Sequence, residues 1–323
     1  FCADIGVNNI VVTVTDSFGN QAVCSSAQVT VEDNIAPQMM CQDITVQLDV
    51  NGNATISVDD IDNGSSDACG IASRSLDISS FSCADIGPNT VTLTVTDNNG
   101  NSNTCTATVT VEDTIPPDAL CQNITVQLDA SGMVTIAASD IDGGSNAACG
   151  ISSLTADITN FDCSNLGDNP VVLTVTDNNG NSNTCTALVT VQDNVAPMAI
   201  GMDITVQLDN SGNAVISGSM LDNGSTDNCN SLTYTANPET FSCTDVSAPV
   251  AVTFTVTDAS GNLSSDTVMV TVEDVEAPVA NCQDITIQLD ASGNVSITPA
   301  DVDGGSTVSC GNASLSIDRN TFS

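Results

Sequence analysis

Histidine and tryptophan are absent from this 323-residue sequence, tyrosine occurs once, at Tyr234, and Lys and Arg together number two. Without an imidazole there is no histidine acid/base chemistry, no His-ligated zinc or haem and no Ser-His-Asp triad. Forty Asp and Glu residues against two bases give a formal net charge of -38. Such a surface repels nucleic acid and anionic membrane, which are engaged mainly through Lys and Arg. Carboxylates alone would have to carry any catalysis, with no positive group to hold a substrate, so no enzyme is expected. No apolar run approaches the ~18 residues of a membrane span, and direct insertion is not expected. The cysteines never form CxxC, the spacing of zinc and redox sites. No signal peptide is visible, but Phe1 lies inside a motif, so this says nothing about location.

What is present favours strands. Apolar residues make up 41% of the sequence, mostly Val, Ile, Ala, Leu and Cys interspersed with Thr and Ser, a mixture suited to sheets. It is too apolar for a disordered acidic tail. Fourteen cysteines are too many for a reducing cytosol and read as structural disulfides of an extracellular protein.

The dominant feature is a repeat of 80 to 81 residues. TVTDNNGNSNTCTATVTVED at 94–113 returns almost unchanged at 174–193, with degraded copies at 13–33 and 255–274. CQDITVQLD at Cys41 recurs from Cys121, Gly201 and Cys282. Asp33, Asp113, Asp193 and Asp274 each precede a proline, at Pro37, Pro116/Pro117, Pro197 and Pro278. Cutting there gives a leading partial repeat (1–35), three complete ones (36–115, 116–195 and 196–276) and a trailing partial one (277–323). The sequence reads as four periods of a longer array, interrupted mid-domain at both ends.

Within a repeat the pattern has period two, the mark of half-buried strands. Val91, Leu93 and Val95 share one face, as do Ala107, Val109 and Val111, while Ile44, Val46 and Leu48 point inward. Strands are expected near 43–49, 53–58, 71–78, 90–96 and 104–112, with short ones around 79–88. Turn residues at 48–53, 62–70 and 96–101 separate them. The expected fold is all-β: a tandem array of small immunoglobulin-like β-sandwiches, extended like beads on a string.

The run TDNNGNSNTC…VTVEDTIPPDALCQNITV resembles the hyalin repeat, or HYR, module. An Asp-x-x-Gly-Asn turn, a Cys, alternating strand residues, an Asp and Pro linker and a further Cys carry the resemblance, which covers the whole sequence. It implies an immunoglobulin-like fold and repeated stalk modules in extracellular and cell-surface adhesion proteins. Long, Lys-poor arrays of this kind look like the giant surface adhesins of Bacteroidetes-type bacteria. Asp113-Thr114-Ile115 and Asp266-Thr267-Val268 match the short O-glycosylation signal of such bacteria, which would make the protein a glycoprotein.

Four cysteine positions per repeat allow three connectivities. The repeat 196–276 keeps Cys229 and Cys243 but carries Gly201 and Asp266 at the first and fourth positions. Losing one whole disulfide is cheaper than orphaning a member of two. First-with-fourth (Cys41–Cys105, Cys121–Cys185) and second-with-third (Cys69–Cys83, Cys149–Cys163, Cys229–Cys243) are therefore expected. Cys2, Cys24, Cys282 and Cys310 would then pair outside the sequence. Against the second scheme, Cys69 and Cys83 flank a strand that would hold them about 25 Å apart if straight.

Strand direction also gathers acids at each junction between repeats. At the first these are Glu32, Asp33, Asp60, Asp62, Asp67, Asp97 and Asn99. Glu112, Asp113, Asp140, Asp142, Asp177 and Asn179 follow at the second, and Asp193, Asp222, Asp227 and Asp258 at the third. Glu273, Asp274, Asp301 and Asp303 close the series. Like charges this close repel, and a hard cation bound by oxygen ligands, Ca2+, is the economical remedy. The third junction reads as the poorest, since Gln192 replaces a Glu and Met220 an Asp. The alternative is that the acids only solubilise a long surface protein.

The function expected from these features is an extracellular structural stalk or spacer of a repetitive bacterial surface adhesin, stiffened by interdomain Ca2+ and intradomain disulfides. Its partners would be neighbouring repeats of the same long chain. Lateral or head-to-tail self-association into an extracellular filament, and a protein- or glycan-binding array, are the alternatives.

Overall fold

In a computed structural model, residues 2–323 are described, and Phe1 of the leading partial repeat lies outside them. The period-two segments of 36–115 fold as β1 (Ile44–Gln47), β2 (Asn53–Thr55), β3 (Ile71–Leu76), β4 (Ser80–Ser82), β5 (Gly87–Asp97) and β6 (Ser102–Glu112). One sheet has the order β1-β6-β5-β3, and a second pairs β2 with β4. β5 and β6 form a hairpin, with Thr96 opposite Ser102. β1 runs parallel to β6 along the sheet edge, Ile44 opposite Val109. The pleat turns Val91, Leu93, Val95, Val109 and Val111 to the inside, where all are buried with Leu48, Ile61 and Phe81.

The same arrangement recurs. Ile151–Ala156, Gly167–Asp177, Ser182–Gln192 and Ile124–Gln127 form a four-stranded sheet, and Met133–Thr135 pairs with Asn160–Asp162. Between 196 and 276 the corresponding sheet is Ile204–Gln207, Leu263–Glu273, Val250–Thr257 and Thr233–Asn237, with Asn213–Val215 paired to Thr240–Ser242.

The incomplete repeats show what the complete ones supply. Gly6–Thr15 and Gln21–Val31 form the hairpin equivalent to β5–β6. Among the described residues no β1-like strand or second sheet covers it, and Val12 and Val14 stand exposed where Leu93 and Val95 are buried. At 285–288, Ile-Thr-Ile-Gln stands where β1 has Ile-Thr-Val-Gln and is not a strand.

By compactness the chain divides into two units, Phe1–Gln122 with Ala137–Asp157 and Val171–Ala187, and Asn123–Ile136 with Ile158–Pro170 and Leu188–Ser323. The first contains the core just described. The second has its own, built on Leu208, Leu221, Phe241, Val252, Phe254, Val256 and Val270.

Candidate functional site at the repeat junctions

Each linker opens on an aspartate that fixes its own turn. Asp33 Oδ1 accepts the Ile35 N–H, and Asp113, Asp193 and Asp274 repeat the bond with Ile115, Val195 and Glu276, at 3.1 to 3.2 Å. The β5–β6 turn of the following repeat then takes hold of the linker. Asn101 Nδ2 donates to the Asp33 carbonyl at 2.9 Å, Asn181 to that of Asp113 at 3.1 Å and Asn262 to that of Asp193 at 3.0 Å. Asn103 and Asn183 similarly donate to the carbonyls of Pro37 and Pro117.

These asparagines are the junction residues that the sequence pattern did not single out. The expectation had named Asn99 and Asn179, whose backbone N–H groups serve the turn aspartate. The available signal was the last Asn of each Asp-x-x-Gly-Asn turn, the position of Asn101, Asn181 and Asn262.

The predicted acidic residues separate into groups. Asp60 and Asp301 close one-turn helices by accepting from Ser57 and Thr298, and Asp140 accepts the Ala137 N–H. Asp62, Asp142, Asp222 and Asp303 each accept the N–H of a serine three residues on. Asp62 also meets Arg74 at 2.8 Å. Glu112 accepts from Gln47 across the β1–β6 edge of its own repeat, at 2.7 Å. Glu32 faces Asn34 at 3.5 Å, and Glu273 ends its strand exposed to solvent.

The turn acids Asp97, Asp177 and Asp258 are buried. Burial pushes the Asp97 carboxyl up, but bonds from the Asn101 side chain and the backbone N–H groups of Asn101 and Asn99 outweigh it and hold the pKa below the usual range.

Among the described residues, two junctions bring three potential ligand side chains within 4.8 Å of one another. The first is Asp33, Asp67 and Cys69, but the Cys69 sulfur is in a disulfide and offers no thiolate. The other is Asp193, Asp227 and Asp258. Gln192 and Met220, the substitutions that made this third junction look poorest, lie outside the cluster. Gln192 pairs with Gln127 at 2.8 Å, and Met220 sits on a 3-10 turn with its side chain exposed. The position that varies inside the junctions is another one: Asp67, Ala147, Asp227 and Val308 in turn.

The cysteines correct the expected pairing. Cys41–Cys105 and Cys121–Cys185 form within their repeats, across the entry to the parallel β1–β6 edge. At the equivalent place between 196 and 276, the Gly201 N–H donates to Asp266 Oδ2 at 2.9 Å. Cys69–Cys83, Cys149–Cys163 and Cys229–Cys243 do not form. Instead Cys2 joins Cys69, Cys83 joins Cys149, Cys163 joins Cys229 and Cys243 joins Cys310, each linking one repeat to the next. Cys2 and Cys310 thus have partners inside the sequence, and Cys24 and Cys282 are free.

The reason is strand length. After Cys69, β3 runs antiparallel along β5 from Ile71, opposite Asp97, to Leu76, opposite Leu93, with a register shift between Ile71 and Ser73. The chain then crosses to β4 in the other sheet, so the two cysteines lie at opposite poles. Cys83 instead packs under the Gly52 turn. A Cβ on Gly52, whose φ is +77°, would meet Cys83 Sγ at 2.6 Å and Ala148 Cβ at 3.5 Å. Asn98 and Asn178 brace the opposite pole by donating to the carbonyls of Cys69 and Cys149, both at 2.8 Å.

The HYR domain family matches residues 32–111. This segment is a HYR domain. The other copies repeat its motifs as described above. No curated protein matches the chain significantly.

Similar solved structures include protocadherin gamma B2 extracellular cadherin domains 1–5, with 13% identity over 86% of this chain and 67% of that one and a TM-score of 0.32. Titin domains I67–I69 have 8% identity over 74% of this chain and all of theirs, at 0.32. Mouse cadherin-23 EC22–24 has 13% over 74% and 99%, at 0.31. The chain spans 63 to 67% of the first three protocadherins it matches. At these scores the likenesses carry no functional weight. The all-β HYR assignment rests on the strands and on the family match. Among the described residues no helix is long and apolar enough to cross a membrane.

Proposed function

We propose that this chain is a stretch of an extracellular structural stalk, belonging to a large repetitive surface adhesin of bacterial origin, with repeat boundaries at 36–115, 116–195 and 196–276. Its role is mechanical rather than enzymatic. The observation that carries this reading is the series of disulfides from each repeat to the next.

Fourteen residues separate Cys69 from Cys83, Cys149 from Cys163 and Cys229 from Cys243. Tension can therefore run from one inter-repeat disulfide to the next through a fourteen-residue segment, bypassing the rest of an 80-residue repeat. Fully stretched, such a segment spans about 50 Å, whereas a whole unfolded repeat would span about 280 Å. The eleven-residue strands β5 and β6 already span about 37 Å when folded. A loaded array has little length to give even if its sandwiches unfold. Such crosslinks persist in oxidising compartments, which supports an extracellular location for the stalk.

Ca2+ bound among the junction acids would stiffen the linkers in this reading. Exposed Thr114 and Thr267 would accept O-glycans, and self-association would occur between arrays.

Single-molecule force extension of the full chain tests the mechanical proposal. Oxidised protein should release no more than a few tens of ångströms per repeat, and reduced protein about 280 Å less the folded length. Long releases from fully oxidised protein would end the stalk reading.

A further inference from the structure

We propose that the third junction is a hard-cation site formed by Asp193, Asp227, Asp258 and the side-chain oxygen of Asn228, and that it is the one strong site of its kind among the described residues. The inference rests on the calcium-stiffened reading above and narrows it to one donor set. Two independent observations support it.

The first is the convergence of three carboxylates within 4.8 Å, from three separate segments: the linker, the loop before Cys229 and the turn between the last two strands. The second concerns atoms without partners. Asp193 Oδ2, Asp227 Oδ1 and Asn228 Oδ1 are all buried and accept no hydrogen bond, and Asp193 as a residue is only 5% exposed. Buried acceptors with nothing to accept from are rare in folded proteins, and each needs a partner. The Asn228 amide belongs to the same locus, because its Nδ2 donates to Asp193 Oδ1 at 3.0 Å and to the Asp129 carbonyl at 3.2 Å.

The protein has no base to spare for this charge. Its only basic residues are Arg74, engaged with Asp59 and Asp62, and Arg319, stacked over Phe322. The neutralising charge must come from solution. The donors are carboxylate and amide oxygens, with no nitrogen or thiolate among them, a set suited to Ca2+ rather than zinc or copper. Water would complete the ion's shell.

The remaining junctions lack one half of this arrangement. At the second, Ala147 and Ala148 stand where Asp227 and Asn228 do, leaving Asp113 and Asp177. At the fourth, Val308 replaces the acid, and Ser309 Oγ donates to Asp274 Oδ1 at 2.7 Å. At the first, Asp33 and Asp67 are only half-buried, Asp97 does not join them within 4.8 Å, and Ala68 stands where Asn228 does.

Isothermal titration of the full, oxidised, metal-stripped chain with CaCl2, with MgCl2 as competitor, tests the site. The expected result is one tight equivalent of Ca2+. Asp227→Asn and Asp193→Asn should each abolish it or weaken it about tenfold or more by removing ligand charge, while Asp67→Asn leaves it unchanged. Recovery of the Cys163–Cys229 crosslinked peptide from each variant establishes that the junction has folded. Ca2+ binding that survives both substitutions would place the ion elsewhere, overturning this site while leaving the calcium reading standing. No binding at all would overturn both, leaving the stalk to rest on its disulfides.

Discussion

Asn262 shows how much of a junction hangs on one amide. Its Nδ2 donates both to the Asp193 carbonyl of the linker and to Asp258 Oδ2 of its own turn, and Asn101 makes the same two bonds. Truncation leaves buried acceptors unsatisfied, which costs about 1–3 kcal/mol. Asn101→Ala is therefore expected to speed hydrogen exchange of the Asn99 and Asn101 amides by about tenfold or more, since ~1.4 kcal/mol is a decade in an opening constant. Exchange in the β2–β4 pair at the far pole should not change. Asp266→Ala is a second residue-level case. The Gly201 N–H would lose its acceptor, and the repeat 196–276 should lose about 1–2 kcal/mol, read from denaturant unfolding against the parent chain.

Turns and caps respond to pH at the scale of the element. Backbone N–H groups of Asn53 and Asn51 hold the Asp49 carboxyl below the usual range, and Asn294 and Ser292 do the same for Asp290. In Asp60 the bonds from the Ser57 backbone and hydroxyl have the same effect. A carboxyl depressed by folding adds stability that is present above its unfolded pKa of about 3.9 and disappears as pH falls through the lower folded value. Protection of the 49–53 turn amides should hold at neutral pH and fail below about pH 4, and Asp49→Asn should flatten that dependence. Exchange measured across that range checks both.

The strands themselves were legible from alternation alone, because burying every second side chain leaves one register open to each. Cys41–Cys105 followed from the repeat 196–276, which lacks both members of that pair. Cys69 and Cys83 were harder. Fourteen residues of separation look like proximity in sequence, yet an extended strand lies between them and carries them to opposite poles.

For the whole molecule, charge and crosslinks dominate. A net charge of -38 opposes compaction, and salt should relieve it. The melting temperature is expected to rise between about 0.01 M and 0.15 M NaCl, as the screening length falls from about 30 Å to about 8 Å. A flat response in a calorimetric series would show that the acids are already neutralised locally. Mass mapping of non-reduced peptides should recover Cys83 with Cys149 and Cys163 with Cys229. A Cys69–Cys83 peptide would remove the short tension path.

Sequence by itself determined the strand pattern, the repeat length, the linkers, the acidic character and the cysteine within each repeat that needs a partner. It could not determine which copy supplies that partner. In a periodic chain, a position and its equivalent one period on are the same residue in the same motif, so Cys83 has equal claim on Cys69 and Cys149. The same degeneracy hid the junction, where Asp193 and Asp227 belong to different repeats by motif and meet only in space. Tertiary structure breaks the tie by distance, since a straight strand separates the near pair and the packing of successive poles joins the far one.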